Sequence, residues 1–448
     1  MSTTQFPTTK SVALKPLGLG YSFFPPPEQN SHKLAPRLWP GVSSESESQL
    51  ANLLRINNEK HNIFINDIGF HNHLTHHLFA AYAMGCSPEP VRQILSAAFK
   101  LHEGYQKPPS QSPGEITEKN WTEHLGNRDY YNAYMHFYAS QIDAHGPGNT
   151  LEKYVFSKEG NLTPEGKEGP QMLHRFMSGL LHPMIHTGHW AEFGVPVMLA
   201  EGLAMAATTF LGSPQLFPPD FFDYDIQHSG SVQSTLDPLN DPRSISPSTY
   251  TGVHSLDILH RMLQDPTLAA GKACQADSDR FRDTMSSSGD KIREYAKMWR
   301  VDSDREVPEK LEEVAWLVTL LYGLGGWRKG KPFRSDFFLL HLVTSSIFMS
   351  SFITHLSFPS QSALLRAQVS VILGWWVSQG RPSIPIEDYY SLDFDPSSLV
   401  PKALQVLPDK SAVGIGKGDG MTNLQSNMWL AIIESCLNHP QEHLLKNQ

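Results

Sequence analysis

Apolar residues recur at three- and four-residue spacing through nearly every long segment of this chain, and alternating runs of β-branched residues are scarce. That period places apolar side chains on one face of a helix rather than one face of a strand, so the fold class is all-α: a single large multi-helix domain with long Pro/Ser-rich loops. Helices are expected from near Ser44, from about His71 to Met84 with a stop at Gly85, and again after a Ser87 cap with Pro88 in the first turn. The stretch from Asn120 to Gly146 reads as helix throughout, and 169–210 as helix broken at Gly188, Gly194 and Pro196. Helices resume over 252–264, 277–300 and 308–324, and the run LLRAQVSVILGWWVSQG ends at Gly380 and Pro382. No sheet of consequence is expected. Residues 1–43 form an irregular segment that wraps the surface, 44–440 the helical domain, and 211–250 a long loop rich in Pro, Ser and Asp.

The remaining composition narrows the function. A formal net charge of −9 leaves no broad basic surface, so nucleic acid is not an expected partner. Cys86, Cys274 and Cys436 are too few and too far apart for a disulfide framework or a thiolate zinc site, which suits a reducing compartment. No segment has the apolar length of a membrane span and the N-terminus has no signal-peptide pattern, so a cytoplasmic location is expected.

Against this ordinary background the chain carries 21 histidines, and many are grouped. His71, His73, His76 and His77 form one group; His73 and His77 stand four apart, with His76 beside them. His182, His186 and His189 form a second, again with a four-residue pair. His341 is a polar residue on the apolar helix FFLLHLVTSS. Two H-x-x-x-H pairs on separate helices are what a metal site in a bundle core requires, because each pair presents two imidazoles on one face. A single buried histidine is more often a hydrogen-bonded core residue, so it is the grouping that singles these out. His102, His124, His136, His145, His254, His260 and His355 have no such grouping and read as structural or surface residues. Without thiolates, an imidazole-rich site suits Fe, Cu, Zn or Ni. Asp67, Glu192, Glu201 and Asp336 flank the groups and could ligate or orient a histidine, although a helix cap or surface carboxylate is the commoner role.

Cofactor loops are weak. Residues 16–23 and 322–331 are glycine-rich, but neither forms G-x-G-x-x-G between a strand and a helix, which disfavours a flavin or Rossmann enzyme. Arg328, Lys329 and Lys331 read as a solvated basic turn rather than a nicotinamide phosphate site. Phe70, Phe79, Tyr82, Trp190, Phe193, Phe337, Phe338, Trp375 and Trp376 flank the histidines; most belong to a core, and a few could wall a flat apolar pocket.

The runs FHNHLTHHLFAAYAMGCSPE, NRDYYNAYMHFYASQI, SGLLHPMIHTGHWAEFG with AEGLAMAA, KPFRSDFFLLHLVTSS and LLRAQVSVILGWWVSQGRP resemble, in order, the questin oxidase-like family, from about residue 55 to at least residue 385. That resemblance implies an oxidoreductase of fungal secondary metabolism: an oxygenase performing Baeyer–Villiger-type C–C cleavage of an anthraquinone-like aromatic polyketide, with O₂ as co-substrate and NADPH as electron source. A histidine-ligated non-haem Fe(II) would reconcile O₂ chemistry with the missing flavin. Carried over by motif, its ligands and catalytic residues are His73, His182, His186 and His341, with His76 and His77 as substitutes for the first. Where the family commonly carries a lysine, which could be carbamylated into an anionic ligand, this chain has Gln368. His189 and Trp190 also depart from the tyrosine and small residue expected there. Two other readings remain: a metal-free NADPH-dependent oxidase in which these histidines act as acid, base and oxyanion donors, and a non-catalytic protein that binds an aromatic ligand.

Overall fold

The computed structural model describes residues 42–64, 70–85, 111–223, 252–268, 277–331 and 336–391, with short pieces at 12–13, 19, 21–28, 32–34, 36, 38 and 334. The expected helix capped by Ser87, the loop beyond residue 223, Asp67, His102 and all three cysteines lie outside the described residues.

The architecture is all-α. Its helices include α1 (Ser44–Lys60), α2 (Leu74–Ala83), α3 (Tyr131–His145), α4 (Met172–Met177), α5 (His182–Phe193), α6 (Pro196–Thr208), α7 (Ser255–Gln264), α8 (Asp277–Ala296), α9 (Val307–Gly325), α10 (Phe337–Ser346), α11 (Met349–Ile353) and α12 (Phe358–Ser378), with single-turn helices at Pro147–Leu151 and Ile386–Tyr390. The strand pairing named among the described residues is a two-residue antiparallel ladder, Val12–Ala13 against Gln111–Ser112. No helix among the described residues is long and apolar enough to cross a membrane.

One continuous core joins the helices, and α6 lies at its centre. Its sequence PVMLAEGLAMAAT is apolar on all sides, as a helix surrounded by protein must be, and every residue from Val197 to Thr208 is buried. Small residues let α5 approach closely: a Cβ on Gly202 would stand 2.1 Å from the Thr187 hydroxyl, and one on Gly188 would stand 2.3 Å from the Phe348 ring. Helix α5 also contacts α10 and α11, so the core joins the α3–α6 group to the group of α8, α9, α10 and α12.

Three local expectations differ from the structure. The helix expected from Asn120 begins only at Tyr131, because Gly126 takes a left-handed φ of 86° and Asn127 caps a short 3-10 turn through Asp129 N–H. Helix α2 starts at Leu74 rather than His71: the Asn72 side chain accepts the Leu74 N–H at 2.9 Å, leaving His73 at the cap. The N-terminal segment also does more than wrap the surface, since Phe23 and Phe24 are 3% and 6% exposed and belong to the core. Two adjacent phenylalanines bury too much apolar area to remain in water.

Candidate active site

Four elements bring the histidines together: the turn before α2, α2 itself, the start of α5, and α10. The approach to α5 is unusual. Gly179, Leu180 and Leu181 all have left-handed φ angles of 58°, 54° and 64°, a conformation that costs a non-glycine residue roughly 1–2 kcal/mol. The turn places the Gly179 carbonyl 2.7 Å from His182 Nδ1. A carbonyl only accepts, so His182 Nδ1 carries the proton and the lone pair of the neutral ring sits on Nε2. His341 is fixed in the same way, with Nδ1–H donating to the Phe337 carbonyl at 2.7 Å.

Two histidine–histidine contacts connect α2 to α5. His73 Nε2 lies 2.8 Å from His182 Nε2, and with the lone pair on His182, His73 is the donor. One turn deeper, His76 Nε2 lies 3.1 Å from His186 Nδ1. The other nitrogen of His186, Nε2, is 2.7 Å from Glu201 Oε2 on α6. A carboxylate accepts there, so His186 donates Nε2–H to Glu201 and meets His76 through Nδ1. Glu201 also accepts from Asn58 Nδ2 of α1 at 2.5 Å. Burying a carboxylate in an otherwise apolar helix is costly unless it is paired, and Glu201 Oε1 and Oε2 each have a donor.

The network has a more open end and a sealed end. His73 is half-buried, whereas His76 and His186 are 0% exposed. At the more open end His71 stacks on His182 at 4.2 Å between centroids, and His341 is tilted against His182 at 5.0 Å. Burial first, and then His182 and the Arg128 guanidinium, hold His71 well below the usual histidine range, so it is neutral. At the sealed end His189 stacks on His76 at 4.7 Å, with Phe79 and Phe348 on its other sides, and donates Nδ1–H to the Ile185 carbonyl at 2.9 Å.

The structure thus gathers His73, His182 and His341 at one end and routes His186 to His76 and Glu201. His76 accompanies His73 in meeting α5. Asp336 caps α10, accepting from the Phe338 and Leu339 N–H groups at 2.8 and 2.9 Å. Glu192 does not appear in the network's hydrogen bonds; burial pushes its carboxyl up to about 8. Arg328 donates to the Gly325 and Trp327 carbonyls, and Lys329 and Lys331 are exposed. Gln368 is buried and its amide donates to Ser345 and Ser346, at the end of the helix that carries His341. His355, read as structural, donates to the Ala191 carbonyl at 3.0 Å. Asn58 and the two carbonyl acceptors carried no signal in the sequence, since any residue can present a carbonyl.

Whether this donor set fits iron can be judged from its geometry. Two imidazoles bound to one ion, each at about 2.1 Å, point to a spot off the line between their nitrogens. His73 and His182 instead meet nearly end to end, with ring planes 3° apart and centroids at 4.9 Å. Among the described residues no three His, Cys, Asp or Glu side chains come together in an arrangement that could hold a metal. Imidazole is a donor that iron accepts, but as arranged these residues form a hydrogen-bonded network and do not fit an ion.

An all-α scaffold enclosing a buried network of hydrogen-bonded histidines, walled by aromatic rings, defines the class of this protein. The questin oxidase-like family profile matches residues 70–448, and the chain belongs to that family; it is an oxidoreductase. It is 25% identical to a Baeyer-Villiger oxidase of Pestalotiopsis microspora over 78% of this chain and 74% of the relative. It is 28% identical to a Baeyer-Villiger monooxygenase of Aspergillus aculeatus (70% and 64%), and 23% identical to the questin oxidase of Aspergillus terreus (77% and 72%).

Proposed function

We propose that this protein is an oxygenase that opens a ring of an anthraquinone-like aromatic polyketide by Baeyer–Villiger-type cleavage beside a ring carbonyl. The observation that supports this most is the Nε2 lone pair of His341, fixed at the more open end of the network by the bond from its Nδ1–H to the Phe337 carbonyl. A neutral imidazole oriented in this way takes a proton from a phenol or enol, and general-base catalysis of this kind contributes roughly 10²–10⁴-fold. His73 Nε2–H, which donates to His182 Nε2 at rest, is the donor for an oxygen on which negative charge develops once that hydrogen bond opens. Insertion of one oxygen atom of O₂ next to a carbonyl, with the other leaving as water, consumes two electrons; NADPH is the proposed source.

No step here is assigned to a metal. The Fe(II) reading built on His73, His182, His186 and His341 remains a proposal; like the donor role of His73, it requires the His73–His182 hydrogen bond to open.

The test is O₂ consumption and loss of the aromatic chromophore with a reduced anthraquinone, with and without NADPH, after chelation and after added Fe(II). Turnover that survives chelation supports the acid–base reading, whereas turnover that follows stoichiometric iron supports the iron reading. No O₂ uptake under any of these conditions would overturn the oxygenase itself and leave a protein that binds aromatic ligands.

A further inference from the structure

A cleft of about 510 Å³, apart from the histidine network, opens where the segment 157–170 folds back over α4, and Trp121, Tyr154, Leu125, Lys153 and Arg175 line it. It is pre-formed. Asn161, within that segment, is fully buried; its amide donates to the Val155 and Ser157 carbonyls, and its oxygen accepts the Leu173 N–H, each at 2.8 Å. Gly160 and Gly169 lie so close to backbone that a Cβ on either would come within 2.5 Å of it. The preceding turn, Glu152–Phe156, is π-helical, a local irregularity often found at functional sites.

The charges indicate what the cleft takes. Arg175 donates Nε–H to the Pro170 carbonyl at 3.0 Å and Nη1–H to the Thr209 carbonyl at 2.6 Å. Its guanidinium has no carboxylate partner among the described residues, and burial lowers its pKa with only Tyr134 and Tyr138 opposing. A partly buried cation without a counter-ion is unfavourable unless a ligand supplies the charge, and guanidinium matches the fork of a carboxylate. Above it, the Trp121 and Tyr154 rings meet edge to face at 5.2 Å. Lys153 stands at the mouth, paired with Glu118 at 2.9 Å, and Glu159 is exposed at the rim.

We propose that this cleft binds a planar aromatic carboxylate, with its carboxylate on Arg175 and its ring against Trp121, which the buried Tyr154 ring backs. The volume lies within the usual range for small-molecule sites, roughly 300–1,000 Å³. This class includes the ring-opened acid that the reaction above would release, and that clause alone rests on the proposed function.

The probes are 9-anthracenecarboxylate and its neutral counterpart 9-anthracenemethanol, titrated into the full-length protein by calorimetry. Saturable binding of the acid, at least about tenfold tighter than the alcohol, is expected from a single charged anchor. Trp121→Ala and Arg175→Gln each weaken the acid by about tenfold, while His341→Ala, which alters the histidine network, leaves it unchanged. Should Arg175→Gln fail to fold, the comparison of acid with alcohol on the unaltered protein still decides. Equal affinity for the two probes, or binding lost in His341→Ala but kept in Trp121→Ala, overturns the site. The readout needs no turnover, so its failure is separate from failure of the oxygenase reading.

Discussion

His186 Nε2 and Glu201 Oε2 stand 2.7 Å apart across the α5–α6 contact, with side chains 0% and 6% exposed. This is the innermost link of a chain that runs from Asn58 through Glu201 and His186 to His76. Glu201 accepts the His186 Nε2–H, and that bond turns His186 Nδ1 toward His76. The deeper half of the network is thus oriented by one carboxylate, and the outer half by two backbone carbonyls.

Glu201→Gln tests that orientation. Glutamine has one acceptor oxygen where glutamate has two, so either Asn58 or His186 is left with an unmatched buried N–H, at a cost of roughly 1–3 kcal/mol. Turnover is expected to fall on the order of 10²-fold in kcat, with a lower Tm. Steady-state O₂ uptake alongside thermal melting checks both, and unchanged kcat would show that the deeper half is only structural.

At the outer end, His182→Ala and His341→Ala each remove a fixed lone pair. Loss of turnover of roughly 10²–10⁴-fold is expected for either. His355→Ala, which disturbs a contact to the Ala191 carbonyl at the far end of α5, is expected to keep near-normal turnover. Equal activity in all three would remove the histidines from the mechanism.

Stability should depend on pH through His174. It is buried, its Nε2 accepts the Ser213 N–H at 2.8 Å, and desolvation pushes it down from the ordinary 6.5 to about 3. Between those values the unfolded chain binds a proton that the folded chain refuses. The contribution is therefore complete above about pH 6.5 and is lost as pH falls, by up to about 1.4 kcal/mol per pH unit. His71 acts in the same direction, and Glu192, pushed up to about 8, in the opposite one. His174→Gln keeps an acceptor for Ser213 but does not titrate. Urea unfolding between pH 5 and 6.5 should show a slope reduced by about one proton, and an unchanged slope would show that His174 is protonated in the fold.

Glycine substitutions separate packing from propensity. Gly202→Ala drives a methyl into Thr187 and is expected to destabilise by about 1–3 kcal/mol or more. Gly323→Ala, in α9 with nothing within 4 Å of the new Cβ, is expected to stabilise by about 0.5–1 kcal/mol. Gly179→Ala meets no hard contact, yet φ there is 58°, so it should cost about 1–2 kcal/mol through backbone strain. Thermal or urea denaturation ranks the three; if Gly202→Ala were neutral, α5 and α6 could not be as close as described.

The sequence by itself determined the helices and most of their ends, because apolar spacing, caps and Gly/Pro stops are local signals: α1 begins at Ser44, and α12 stops before Gly380 and Pro382. It also pointed to histidines that lie near one another: His73 meets His182, His76 meets His186, and His341 lies against His182. Direction was not legible. Whether His73 lies within a helix or at its cap depends on one Asn72 side chain. Nor could spacing show that His182 answers to a carbonyl and His186 to a glutamate from the next helix. A tautomer is set by whatever lies across from the ring, and only the packing of α1, α2, α5, α6 and α10 against one another decides what that is.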